Sequence, residues 1–94
     1  MDMKHVVGRD KGKIVLYALS TCVWCKKTKR FLSDHGVAYD YIDVDLLGEK
    51  EKEKAKHEIT RWNPRCSFPT LVINDNSCIV GYDEEKMRKV VADE

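Results

Sequence analysis

The sequence predicts one α/β domain in which a four-stranded mixed sheet is flanked by three helices, in the order βαβαββα. Strand-like and helix-like patterns alternate along residues 13–62, and a hairpin pattern followed by a helical pattern occupies residues 70–91. A length of 94 residues with 43% apolar content suffices for one core and not for two. We therefore expect residues 13–94 to form the domain, preceded by residues 1–12 as an arm or a short extra strand.

The first strand and the first helix are the clearest elements. Residues 14–19 form an unbroken apolar run that starts with β-branched side chains, which predicts a fully buried strand. From Trp24 to His35, the side chains of one face recur every three or four residues until Gly36, which predicts a helix and its C-terminal stop. Residues 37–44 are rich in strand-forming residues, so these elements predict a right-handed βαβ unit with parallel strands.

The pattern of residues 46–62 predicts a second helix. Its middle is almost entirely charged, which indicates a solvated face. The stripe of Ala55, Ile59 and Trp62 is expected to lie on the sheet, and Asn63-Pro64 ends the helix.

Two short apolar segments and a last helical pattern complete the chain. Residues 70–73 and 77–80 flank a turn of asparagine and aspartate, which predicts a hairpin of two strands. Gly81 ends this hairpin, and Asp83 is suited to cap the helix that follows. The buried stripe of that helix is expected to consist of Met87, Val90 and Val91.

Two cysteines, Cys22 and Cys25, lie where the buried strand gives way to the first helix. The unpaired N–H groups and the positive end of the helix dipole stabilise an anion there, so we expect Cys22 to provide the reactive thiolate. Cys25, one turn further, is expected to keep a higher pKa and to act as the resolving thiol. The spacing also fits a buried pair of free cysteines or half of a zinc site, and both interpretations stay open at this point.

The composition argues against several classes of function. A net charge of +1 gives no argument for nucleic acid or an anionic membrane as a partner. The longest apolar run is residues 14–19, which is too short for a membrane span, and residues 1–5 lack the apolar segment of a secretory signal. Because four cysteines occur without such a signal, we expect a reducing, cytoplasmic compartment.

Three separated motifs give the chain a resemblance to the glutaredoxins, small proteins of the thioredoxin fold. The resemblance covers roughly residues 13–91 and implies that fold. It also implies a dithiol–disulfide oxidoreductase that reduces protein disulfides or glutathione mixed disulfides through two catalytic cysteines. It further implies a monomer with no tightly bound cofactor and with glutathione as a candidate co-substrate. The motifs are Cys22-Val23-Trp24-Cys25, Ser67-Phe68-Pro69 and Ile79-Val80-Gly81-Tyr82-Asp83-Glu84.

The resemblance also implies which residues bind the substrate. In the family, the proline that corresponds to Pro69 follows a cis peptide bond, and the residue before it, here Phe68, pairs with an extended peptide or glutathione. The alternative is that Pro69 only starts an edge strand. Asp83 resembles the residue that meets the charged γ-glutamyl end of glutathione. The expected substrate-binding residues are Thr21, Trp24, Phe68, Pro69, Gly81, Tyr82 and Asp83.

Several positions depart from the family pattern. Leu19 occupies a position where glutaredoxins usually carry lysine or arginine, and Cys66 occupies one where they often carry arginine. Val80 replaces a glycine, and Val23 replaces the usual proline between the cysteines. Two cationic contacts for the carboxylates of glutathione are therefore absent or displaced. The chain also resembles the glutaredoxin-like redoxins, including the hydrogen donors of ribonucleotide reductase. This resemblance implies a reductase of the thioredoxin-reductase type or a ferredoxin-linked reductase as the reductant, in place of glutathione.

Other functions fit the same cysteines. Four thiols are enough for a zinc ion or an iron–sulfur centre, although the spacing of Cys66 and Cys78 is not that of a zinc knuckle. A non-catalytic scaffold would keep its function after Cys22→Ser. Cys66 itself is interpreted either as a further redox thiol that faces the site or as a small apolar filler, and Cys78 as a filler.

Overall fold

The computed structural model describes residues 3–92 as a mixed sheet with helices on both faces. A short 3₁₀ turn, Val44–Leu46, precedes the second helix. The elements follow the predicted alternation of strands and helices, so the α/β class is confirmed. In chain order they are β1 (Lys4–Val6), β2 (Ile14–Ala18), α1 (Val23–Asp34), β3 (Tyr39–Asp43), α2 (Glu49–Trp62), β4 (Thr70–Ile73), β5 (Ser77–Val80) and α3 (Glu84–Val91).

The strand order across the sheet is β1-β3-β2-β4-β5, with β2 in the centre. Strands β2 and β3 are parallel, as the βαβ pattern predicts, and the other pairs are antiparallel. The predicted number of four strands was wrong by one, because Lys4–Val6 pairs with β3 as an edge strand. His5 lies opposite Asp40 in this register, and their side chains are 2.8 Å apart.

Two apolar clusters fill the two faces of the sheet. The first contains Phe31 of α1 and Met87 of α3, and the second contains Ala55 and Ile59 of α2. Successive residues of β2 alternate between the clusters, and all of them are buried. Burial on both faces explains why this strand is an unbroken apolar run in the sequence.

Helix α2 starts later than the sequence predicts. Residues 44–46 form the 3₁₀ turn, Gly48 occupies the N-cap position, and Glu49 and Glu51 place acidic charge in the first helical turn. Leu46, at the predicted helix start, is 68% exposed. None of the helices within residues 3–92 has the length and apolar character needed to cross a bilayer.

Candidate active site

The turn Leu19–Cys22 carries the chain from the central strand into α1. It is closed by a hydrogen bond from the Cys22 N–H to the Leu19 carbonyl, 3.1 Å long. Cys22 is the N-cap of α1, and its Sγ accepts a hydrogen bond from the Cys25 N–H at 3.2 Å. The sulfur therefore replaces the side-chain oxygen that usually caps a helix, and the first turn offers it an N–H donor.

Cys25 lies behind this cap with none of its surface exposed. Burial raises the pKa of the Cys25 thiol to about 12, and a hydrogen bond with Cys22 acts in the same direction. A hydrogen bond with the Leu19 main chain and the positive charge of Lys29 lower it in part. The two thiols thus have unequal environments, a partly exposed Cys22 and a buried Cys25 that holds its proton at neutral pH.

Five of the expected substrate-binding residues line one open cavity of about 180 Å³. The Trp24 ring, 53% exposed, lies 5.7 Å from the Tyr82 ring. The ammonium of Lys27 lies 4.4 Å from the centre of the same indole. These contacts hold the indole in place at the edge of the cavity. The lining residues are Trp24, Phe68, Pro69, Gly81 and Tyr82.

The remaining two expected binding residues do not line this cavity. Thr21 is exposed in the turn before Cys22. Asp83 caps α3, because its side chain accepts a hydrogen bond from the Lys86 N–H at 3.1 Å. The capping role predicted for Asp83 is confirmed, whereas the binding roles of both residues stay predictions.

The loop between α2 and β4 forms another wall of the site. The peptide bond between Phe68 and Pro69 is cis, as expected. The Gly81 N–H donates to the Pro69 carbonyl at 2.8 Å, which joins this loop to the end of β5. Buried Asn63 anchors the loop by donating to the Ser67 hydroxyl at 2.9 Å and to the Thr70 hydroxyl at 3.1 Å.

Cys66 and Cys78 pack on the other face of the sheet. Both are partly buried against the second apolar cluster, the one that contains Ala55 and Ile59, whereas Cys25 belongs to the first. The Cys78 thiol donates to the Trp62 carbonyl at 3.2 Å. This placement fits small core residues better than a further thiol facing the site. Within residues 3–92, no three His, Cys, Asp or Glu side chains converge as a metal site would require, so nothing here favours the metal alternative.

A larger cavity, about 390 Å³, opens on the α2 face of the sheet. Tyr17 and Glu58 line it and are joined by a hydrogen bond of 3.0 Å. Neither Cys22 nor Cys25 borders it. The cysteines do not line the smaller cavity either, but its wall includes Trp24, which lies between Cys22 and Cys25 at the start of α1, so we take the smaller cavity as the candidate binding site.

The structure adds residues that the sequence prediction did not include. Ser20 and Asp45 meet at the carboxyl ends of the parallel strands β2 and β3, and Asn63 holds the loop that carries Pro69. A sequence signal exists for the first pair, because polar residues that follow adjacent parallel strands meet at the same edge of a sheet. No periodic pattern marks Asn63.

A sequence profile of one family, described as Glutaredoxin, matches residues 14–78, which is more than half of the chain. The chain belongs to the glutaredoxin family. A glutaredoxin-like 8.6 kDa protein in the rubredoxin operon of Clostridium pasteurianum is 30% identical over 78 residues, covering 83% of this chain and 96% of the relative. Glutaredoxins are in general thiol–disulfide oxidoreductases, so the chain is a glutaredoxin-like redox protein.

Solved glutaredoxin structures agree with this assignment. Methanosarcina acetivorans methanoredoxin is 52% identical, with 92% of this chain and 90% of that chain covered and a TM-score of 0.88. The glutaredoxin from Methanosarcina mazei Go1 is also 52% identical, with 97% and 88% covered and a TM-score of 0.89. The thioredoxin fold implied by the three sequence motifs is therefore confirmed.

Proposed function

We propose that this glutaredoxin is a dithiol–disulfide oxidoreductase in which Cys22 attacks the substrate and Cys25 resolves the intermediate. The observation that carries the proposal is the unequal pair at the start of α1. Cys22 is partly exposed and receives an N–H hydrogen bond at its sulfur, whereas Cys25 is buried with a raised pKa. Cys22 is thus accessible to a substrate, whereas Cys25 stays protonated until the mixed disulfide has formed.

The reaction proceeds by two thiol–disulfide exchanges. The Cys22 thiolate attacks one sulfur of the substrate disulfide, which forms a mixed disulfide and releases the other sulfur as a thiolate that takes up a proton. Cys25 then loses its proton and attacks the Cys22 sulfur. This step releases the second substrate thiol and leaves a Cys22–Cys25 disulfide in the protein. Two electrons and two protons from an external dithiol, or from two monothiols, restore the reduced pair.

The cavity beside Trp24 suggests how a substrate is held. Its lining is aromatic and aliphatic and includes Phe68 and Pro69, which suits an extended peptide segment next to a disulfide. Phe68 is proposed to pair with that segment through its main chain, as the family resemblance implies. We therefore propose disulfide-containing proteins, or proteins in mixed disulfides with glutathione, as substrates. Nucleic acid and membranes have no part in the proposal, which is for a monomer acting in the cytoplasm.

The reductant is the least constrained part of the proposal. Leu19 is half-buried against the second apolar cluster, so the position that often carries a cation contributes apolar packing instead. Cys66 likewise supplies no positive charge. Glutathione is retained as a candidate co-substrate, and a thioredoxin-reductase-type or ferredoxin-linked reductase is the other candidate.

Two cysteine variants test the mechanism. Cys22→Ser is expected to abolish reduction of insulin disulfides or of a glutathionylated protein. Cys25→Ser is expected to form the mixed disulfide and to accumulate it, which mass spectrometry detects as a covalent adduct on Cys22. Wild-type disulfide reduction by Cys22→Ser would overturn the proposal, whereas no disulfide reduction by the wild-type protein would favour a non-catalytic scaffold. An adduct on Cys66 or Cys78 in place of Cys22 would overturn the assigned nucleophile.

A second experiment separates the reductants. The oxidised protein is supplied either with glutathione and glutathione reductase or with a thioredoxin-reductase couple, and consumption of the reduced nicotinamide cofactor is followed. Turnover with glutathione would show that the cations missing at positions 19 and 66 are dispensable. Turnover only with the second couple supports a reductase-dependent redoxin, and failure with both directs attention to a ferredoxin-linked donor.

A further inference from the structure

Asp45 lies outside the cysteine motif, yet it is bound to the turn that presents Cys22. One oxygen of its carboxylate accepts a hydrogen bond from the Ser20 N–H at 2.8 Å, and the other accepts one from the Ser20 hydroxyl at 2.5 Å. These bonds hold the pKa of the Asp45 carboxyl below its usual range, and the positive charge of Lys52 contributes. A carboxylate that receives two donors from one residue fixes both the position and the orientation of that residue.

The turn has few other bonds that fix its shape. The Cys22 N–H closes it on the Leu19 carbonyl, so Ser20 is one of its two central residues and its N–H points out of the turn. Asp45 provides the acceptor for that outward N–H. A polar main-chain group without such an acceptor has to find water instead, and the turn then loses its external anchor.

Asp45 is itself held by the core. It belongs to the 3₁₀ turn Val44–Leu46, and its neighbour Val44 is 3% exposed in the second apolar cluster, alongside Val15 and Tyr17. The anchor therefore runs from the buried core through Val44 and Asp45 to Ser20, two residues before the nucleophile. Leu19, at the start of the turn, packs against the same cluster.

We infer that Asp45 is a positioning residue for the nucleophile: by holding Ser20, it keeps Cys22 at the N-cap of α1, where the Cys25 N–H reaches the sulfur. This inference rests on the proposed function, in which the Cys22 thiolate is the attacking group. Asp45 takes no part in bond making. Its effect is on how well the helix start stabilises the thiolate and how reproducibly the sulfur faces the substrate.

The experiment separates the position of the Asp45 side chain from its charge. Asp45→Asn keeps an oxygen that accepts from the Ser20 N–H but has no charge, whereas Asp45→Ala has neither. The first readout is the pH dependence of Cys22 alkylation by iodoacetamide, resolved by peptide mass mapping because the chain has four cysteines. The second is the rate of insulin disulfide reduction. Asp34→Ala, an exposed carboxylate near the other end of α1, is the control for loss of an acidic side chain.

With Asp45→Ala, we expect the midpoint of Cys22 alkylation to move to higher pH by about half a unit, since the thiolate loses part of its contact with the helix start. Disulfide reduction is expected to slow about fivefold to tenfold. Asp45→Asn still accepts a hydrogen bond from the Ser20 N–H, so we expect its alkylation midpoint to return towards that of the wild type. Its rate of disulfide reduction is expected to lie within about twofold of the wild-type rate. Ser20→Ala removes only the hydroxyl donor and should give a smaller change in the same direction.

Three results would overturn the inference. If Asp45 acts through its charge, the Asn and Ala variants will both move the alkylation midpoint to lower pH. If it is merely structural, Asp45→Ala will lower the melting temperature while the alkylation curve and the rate stay unchanged below that temperature. If Asp45→Ala does not fold, the Ser20→Ala variant is measured in its place, and an unchanged alkylation curve for that variant contradicts the inference.

Absence of disulfide reductase activity in the wild type would instead refute the proposed function, while the alkylation curves would still report on Asp45.

Discussion

The ammonium group of Lys29 lies 2.9 Å from a carboxylate oxygen of Asp43, and the two side chains are only 23% and 14% exposed. The centre of the Tyr41 ring lies 4.3 Å from the same ammonium. The positive charge is therefore held at one place beside α1, where it lowers the pKa of the buried Cys25 thiol. In the proposed mechanism, Lys29 thus acts on the thiol that loses its proton in the second exchange.

Replacing Lys29 by methionine is expected to slow the resolving step. The variant keeps most of the aliphatic stem but removes the charge, so the pKa of Cys25 rises further and less thiolate forms at neutral pH. The mixed disulfide on Cys22 should persist about three to ten times longer. Quenched-flow mass spectrometry measures its lifetime. Arg30→Gln, an exposed change on the same helix, is the control, and equal lifetimes in the two variants would contradict the role of Lys29.

The raised pKa of Cys25 predicts a loss of stability at alkaline pH in the reduced protein. The thiol ionises near 9 when it is unperturbed and at about 12 in the fold, so the unfolded chain releases its proton first as the pH rises. The stabilising effect is complete below pH 9 and is lost between pH 9 and 12. We expect the free energy of unfolding to fall more steeply with pH over this interval in the wild type than in Cys25→Ala.

Urea denaturation under reducing conditions, repeated at several pH values, measures this difference. Tyr17 also has a pKa raised by burial and by its hydrogen bond to Glu58, and it shifts stability in the same direction in both proteins. The difference between wild type and variant therefore isolates Cys25. Parallel curves would show that the Cys25 environment does not favour the protonated thiol.

Trp24 is predicted to contribute to substrate binding more than to stability. Its ring is 53% exposed, so Trp24→Ala should change the melting temperature little. The same change removes the contacts with Tyr82 and Lys27 and one wall of the cavity. We expect kcat/KM for a protein disulfide to fall about tenfold, mostly through KM.

Val23→Ala is the matched control for Trp24, because Val23 is 62% exposed and lies between the same two cysteines but does not line the cavity. Trp24→Phe should recover part of the loss, since a smaller ring keeps the stacking surface. If Trp24→Ala and Val23→Ala lower kcat/KM equally, the fall in kcat/KM comes from changing an exposed side chain next to the cysteines and not from loss of the indole.

Asn63 is predicted to be the main polar anchor of the loop that carries Phe68 and Pro69. It is 3% exposed, and its amide donates to Ser67 and Thr70. Asn63→Ala removes this donor from the buried Thr70 hydroxyl and from the Ser67 side chain, so we expect a loss of about 2 kcal/mol in the free energy of unfolding. Chemical denaturation measures it, and Asn76→Ala in the exposed hairpin turn is the control. A loss below about 0.5 kcal/mol, the range of ordinary surface changes, would contradict the anchoring role.

The strands and helices could be predicted from the sequence because buried apolar residues recur with the spacing of a strand or a helix. The apolar run of β2 and the spacing of Phe31 and Leu32 follow directly from which faces are covered. The cavity residues were found differently, since Trp24, Phe68 and Tyr82 come from three distant segments. Only the family resemblance, and no local pattern, connected them before the structure placed them around one cavity.

The polar contacts around the two cysteines were not predicted, and the one sequence signal for Ser20 and Asp45 is that each follows one of two adjacent parallel strands. Asp45 and Ser20 are partly exposed residues on connecting segments, where neither strand nor helix periodicity applies. Lys29 is one of several cations in a basic stretch, and only its packing against Asp43 and Tyr41 distinguishes it. The late start of α2 was also not predicted. The apolar residues within 44–47 fit the first turn of a helix as well as the 3₁₀ turn that the structure has there.

The added strand β1 also determines which part of the sheet meets solvent. Without Lys4–Val6, the outer edge would be β3, whose Tyr39 and Tyr41 carry aromatic surface next to unpaired N–H and C=O groups. Such an edge is a template for a strand from another molecule, whereas an outer strand only three residues long with exposed Lys4 and His5 is a poor one. On this side of the sheet, Lys4–Val6 therefore replaces a longer, aromatic edge by a short and partly charged one, which offers a poorer template for a further strand.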